Sequence, residues 1–82
     1  MKYKIYKGNY GSYYILTTSG PILIFTNGHW RVLKDPTDSR WVSLDISESH
    51  EIADLEFLIT TGISRAEIED NIKRIEVKEE CK

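Results

Sequence analysis

Cysteine is nearly missing: Cys81 stands alone among 82 residues, so no disulfide can form within one chain. Small domains of oxidising compartments generally rely on such staples, so a soluble, cytoplasmic protein is expected. Long apolar runs are missing too. None approaches the ~18 residues of a membrane span. The opening Met1-Lys-Tyr-Lys-Ile-Tyr-Lys also lacks the apolar stretch of a secretory leader. No glycine-rich phosphate cradle is present. His29, His50 and Cys81 lack the paired spacing of a zinc site. His50 near Asp45, Ser47 and Ser49 could be drawn as a triad, but these are sequence neighbours at a helix entry, where capping uses the same residue types. Asp35 and Asp38 frame a proline turn. The expectation is no enzyme, no cofactor and no metal.

What is there is an ordinary globular composition, 40% hydrophobic and 29% charged, long enough for one small domain over 1–82 and too short for a two-domain cleft or a barrel enzyme. Net charge is −2 but unevenly spread. Residues 1–44 carry six basic and two acidic side chains, residues 45–82 five basic and eleven acidic. Such asymmetry bears on partners rather than on fold.

The first half alternates short β-rich runs with turn signals. Tyr3–Tyr6, Tyr13–Thr17, Ile22–Phe25, Trp30–Leu33 and Trp41–Leu44 are separated by Gly8-Asn9-Tyr10-Gly11, Ser19-Gly20, Asn27-Gly28 and Asp35-Pro36-Thr37-Asp38. Asn-Gly between apolar runs is the strongest short hairpin signal. A two-residue turn there pairs Thr26 with His29, Phe25 with Trp30 and Leu23 with Val32. A similar turn at Ser19-Gly20 pairs Leu16 with Leu23 and Tyr14 with Phe25, and the first turn then pairs Ile5 with Tyr14 and Tyr3 with Leu16. This register gathers Tyr3, Ile5, Tyr14, Leu16, Leu23, Phe25, Trp30 and Val32 on one apolar face. The reverse face holds Lys2, Lys4, Tyr6, Tyr13, Ile15, Thr17, Ile22, Ile24, Arg31 and Leu33. It either lines a curled sheet or is an open contact surface.

The second half predicts two helices. One starts at Ser47 or Ser49 and runs to about Thr61, stopped by Gly62, with Ile52, Leu55, Leu58 and Ile59 on its buried stripe and Phe57 well round from it. The next opens on the capping box Ser64-Arg65-Ala66-Glu67, with Ile63 and Ile68 at staple spacing and Ile72 and Ile75 continuing the stripe. Residues 75–77 read as either helix or strand, and 78–82 as a frayed tail. The expected fold is α+β: a four- to five-stranded antiparallel meander over 1–46, open or curled, followed by a helical hairpin over 47–77 packed on one face.

Three function classes remain. Gly62–Ile68 resembles, over seven residues, the turn and early second helix of helix-turn-helix DNA binders. Those families place a small residue four before the glycine, where this chain has Leu58, and Glu67, Glu69 and Asp70 would face phosphate. A capped helical hairpin accounts for the same residues. The expected function is a non-catalytic protein-interaction module with a protein partner, using Asp54, Glu56, Glu67, Glu69 and Asp70 on the acidic helices, with Phe57 and Ile24 as apolar contacts. In size, charge and an isoleucine-rich, glutamine-free composition typical of A+T-rich genomes, the chain resembles small phage-encoded inhibitors of nucleic-acid enzymes. The alternative is a single-stranded nucleic-acid binder using Lys2, Lys4, Tyr6, Tyr13 and Arg31 on the sheet. A homo-oligomer joined at Phe57 or Ile24 is the third class.

Overall fold

The computed structural model describes residues 3–18, 20–34 and 39–80, for the last five the backbone alone. The chain runs β1 (Tyr3–Lys7), β2 (Tyr13–Thr17), β3 (Ile22–Thr26), β4 (His29–Leu33), α1 (Arg40–Glu48), β5 (His50–Ile52), α2 (Asp54–Thr61) and α3 (Arg65–Glu80). The five strands form one antiparallel sheet in the order β4-β3-β2-β1-β5. The sheet is open, with β4 and β5 at its edges.

The Asn27-Gly28 hairpin forms as the residues dictate. Both turn residues take positive φ, 51° and 78°, and Thr26↔His29, Phe25↔Trp30 and Leu23↔Val32 pair as expected. Around β2 the expected register is off by one. Ile5 pairs with Ile15 and Tyr3 with Thr17; Tyr13 pairs with Phe25 and Ile15 with Leu23. The reason is loop length. The β1–β2 connection takes Gly8 to Ser12, closed by Gly8 N–H donating to Ser12 O at 2.8 Å. The β2–β3 reversal is longer than two residues, with the Thr17 hydroxyl donating to Pro21 O at 2.8 Å; Ser19 lies outside the described residues. The two one-residue errors cancel, so β1, β3 and β4 keep their expected faces and β2 alone is inverted.

That inversion decides the layers. Ile5, Tyr13, Ile15 and Leu23 meet Ile52, Phe57, Ile63, Ile68 and Ile72 in the main core. Tyr14, Ile22 and Ile24 form a second, smaller core on the reverse face, packed by Tyr6, Leu16, Leu33, Val42 and Ile46. So α2 and α3 cover one face, and α1 covers the other. The segment Trp41–Leu44, expected as a strand, belongs to α1. Ser39 caps that helix, its Oγ accepting from Val42 N–H at 3.2 Å, and Val42 and Ile46, four apart, supply the buried stripe.

The long helix expected over 47–61 is broken. His50–Ile52 leaves it to pair with Ile5, Tyr6 and Lys7, giving β1 a second neighbour. Only α2 remains, ended by Gly62 at φ 79°. In α2 the buried residue is Phe57, edge-on to Tyr13 and Phe25 with ring centroids 5.1 and 6.1 Å away. Leu55, Leu58 and Ile59, expected inside, are exposed. The start of α3 follows its sequence signals. Glu67 N–H donates to Ser64 Oγ at 3.4 Å, and Ile63 and Ile68 are both buried. Helical backbone continues through 75–77 to Glu80; the rest of the tail and the Asp35–Asp38 turn lie outside the described residues.

Candidate protein-interaction surface

Helix α2 is held to the sheet by one large side chain, which orients everything else on it. Phe57 is fully enclosed, against Tyr13, Phe25 and Trp30. With about 100° between successive residues, Leu55, Leu58 and Ile59 then share the opposite side. They are 65%, 40% and 75% exposed. Spacings of i, i+3 and i+4 make them one continuous aliphatic ridge. Asp54 and Glu56, in the first turn of α2, flank it. Their charge is favourable at a helix N-terminus.

Neighbouring cations already engage part of the acidic surface. Arg65 Nε lies 3.2 Å from Glu69 and 3.9 Å from Asp54; Arg74 lies 3.0 Å from Asp70. The Glu69 carboxylate, then the Tyr3 and Asp54 groups, raise the Arg65 pKa above its ordinary value. Glu67 accepts from Trp30 Nε1 at 3.3 Å, tying α3 to the edge strand. Glu56 makes no ion pair among the described residues. Exposed pairs of this kind contribute little to stability, so these carboxylates remain available to a partner. Beneath them, the Tyr3 hydroxyl is buried without a partner at hydrogen-bonding geometry. Burial, then the nearby Asp54 carboxylate, pushes its pKa up to about 12.

The two apolar contacts expected at an interface are not at the surface. Phe57 is the centre of the main core, and Ile24 is buried in the reverse-face core beneath α1. Neither side chain is presented to a second copy. The basic strand platform is also not assembled. Tyr13 is buried on the α2 side. Lys4, Tyr6 and Arg31 share the α1 side, but Tyr6 and Arg31 stand in one cross-strand row with buried Tyr14 and Ile24 between them. Three strand spacings of about 4.8 Å separate them, with α1 packed over that side. Lys2 lies outside the described residues.

The sequence reading missed a second surface. On α1, Trp41 and Leu44 point away from the sheet, and Trp41 packs on Tyr10 of the β1–β2 loop with ring centroids 5.1 Å apart. All three are more than half exposed. Arg40, Trp41, Ser43 and Leu44 line a shallow groove of 670 Å³. The signal for it was Ser39, whose cap turns Trp41-Val42-Ser43-Leu44 from an alternating strand into a helix.

A buried polar contact fixes α1 in place. Asp45, 2% exposed, accepts from the Tyr14 hydroxyl and from Asn9 N–H, the latter at 3.1 Å. Burial, then the Asp45 carboxylate, raises the Tyr14 pKa to about 12. Asn9 Nδ2 also reaches Glu48 Oε1 at 3.5 Å. The β1–β2 loop, and with it Tyr10, is thereby tied to α1. Among the described residues no cluster of three His, Cys, Asp or Glu could hold a metal, and no helix is long and apolar enough to cross a membrane. Comparison with protein-family models, with curated proteins and with solved structures gives no match.

Proposed function

We propose that the chain is a non-catalytic protein-interaction module that lays the Leu55–Leu58–Ile59 ridge of α2 into an apolar groove on another protein. The observation that carries this is the outward placement of three large aliphatic side chains at helical spacing, on a helix anchored from behind by Phe57. Helix-in-groove recognition reads such i, i+3, i+4 anchors, and contiguous apolar surface of this kind marks contact sites. Asp54 and Glu56 beside the ridge favour a groove rimmed by lysine and arginine. Size, acidic helical half and composition fit an accessory or inhibitor protein of a phage or other mobile element acting on a host protein.

Affinity capture from source-cell lysate tests the reading, comparing the wild type with Leu55→Lys/Ile59→Lys. A specific protein retained by the wild type and lost by the variant, at unchanged circular dichroism, supports it. Equal capture by both defeats it. Tight oligonucleotide binding that falls steeply with salt would instead transfer the function to single-stranded nucleic acid.

A further inference from the structure

Two exposed apolar surfaces lie on opposite sides of the sheet, and they differ in shape and charge. The α2 ridge is convex, aliphatic and flanked by Asp54 and Glu56. On the α1 side, a shallow groove has Arg40, Trp41, Ser43 and Leu44 among its lining residues, and Tyr10 packs at a tilt against Trp41. Tryptophan, tyrosine and arginine are the residue types that dominate binding energy at protein contacts. Asp45 and Asn9 hold Tyr10 and Trp41 in their relative position before any partner arrives, which lowers the ordering cost of binding.

We propose that the occupant of the α1 groove is the α2 ridge of a second copy of this chain, so that copies associate head to tail. The inference rests on the reading of that ridge as a docking surface. Charge complementarity selects the occupant: the groove's arginine meets the carboxylates flanking the ridge, whereas ridge on ridge would oppose carboxylates. Because ridge and groove lie on opposite sides of the sheet, no protomer satisfies itself. The contact is heterologous, and each added copy presents a fresh groove and a fresh ridge.

Sedimentation velocity on the full chain, from micromolar to millimolar at low salt, reads the assembly. The wild type shifts progressively to species beyond the dimer, and added salt reverses part of the shift. Trp41→Ser destroys the groove and Ile59→Lys the ridge. Each variant alone is folded by circular dichroism and associates at least about tenfold more weakly. Mixed in equal amounts they form a dimer and nothing larger, since each supplies one intact half. A wild type that stays monomeric throughout overturns the proposal. So does an Ile59→Lys variant that still dimerises alone, because the α1 surface then pairs with itself. A monomeric wild type that still loses a captured protein on Ile59→Lys sinks only the self-assembly. A monomeric wild type whose capture ignores that substitution sinks the ridge reading as well.

Discussion

Replacing Asp45 by alanine should unseat α1. The carboxylate is the acceptor for the Tyr14 hydroxyl and for Asn9 N–H, and it is almost wholly enclosed. Removing it leaves two donors, one of them on a buried side chain, without their partner. Each costs about 1–3 kcal/mol when unpaired. Ser12 offers the Tyr14 hydroxyl a second polar neighbour, so about 2–4 kcal/mol is expected in all. A chain of this length has on the order of 4–12 kcal/mol of stability, so the loss is a large share of it. Urea unfolding followed by tryptophan fluorescence and circular dichroism measures it directly. Tyr14→Phe removes one side of the same contact, so the double variant should lose less than the sum of the singles, with a coupling of about 0.5–3 kcal/mol. An Asp45→Ala protein within about 0.5 kcal/mol of wild type, or strict additivity with Tyr14→Phe, would refute the assignment of Asp45 as the link between α1 and the sheet.

Gly8→Ala should act on the same contact from the other side. A Cβ at Gly8 would meet the Asp45 carboxylate and come within 2.9 Å of the Tyr14 ring, so a loss of about 1–3 kcal/mol is expected in the same urea assay; a neutral substitution would contradict the close approach. Alkaline pH provides another check. Tyr3 and Tyr14 hold their protons to about pH 12 in the folded chain, against 10.0 ordinarily. Their contribution to stability is therefore whole below pH 10 and is lost as pH rises toward 12. Tyrosinate absorbance should show two late-ionising groups, and Tyr14→Phe should flatten part of the stability loss. A stability profile flat across that window would contradict the burial of both hydroxyls.

How much of this was legible differs by element. Asn27-Gly28 and the Ser64–Glu67 capping box were readable because turn and cap chemistry is local. The faces of β2 were not. Tyr13-Tyr14-Ile15-Leu16 is apolar at every position, and β2 is central with Tyr13 and Ile15 packed on one side and Tyr14 and Leu16 on the other. A strand covered on both faces has no alternation from which to read its register. Nor was α1, because Trp41 and Leu44 face out while Val42 and Ile46 face in, so apolar residues lie all round and the 3.6-residue period is blurred. The candidate site was misread for a related reason. Leu55, Leu58 and Ile59 outnumber Phe57, and the larger stripe is the one ordinarily expected to face the core. The acidic flank, Asp54 and Glu56, was visible from charge density alone. The Trp41–Tyr10 surface was not, since it depends on a loop held through Asp45 across a long sequence separation.

Which side of α2 faces the core is therefore the point on which the interaction surface depends, and equilibrium unfolding of Phe57→Ala beside Ile59→Lys tests it most directly. Phe57→Ala should lose about 3–5 kcal/mol, and Ile59→Lys should stay within about 0.5 kcal/mol of wild type. A tolerated Phe57→Ala together with an unfolded Ile59→Lys would turn the helix round and remove the ridge.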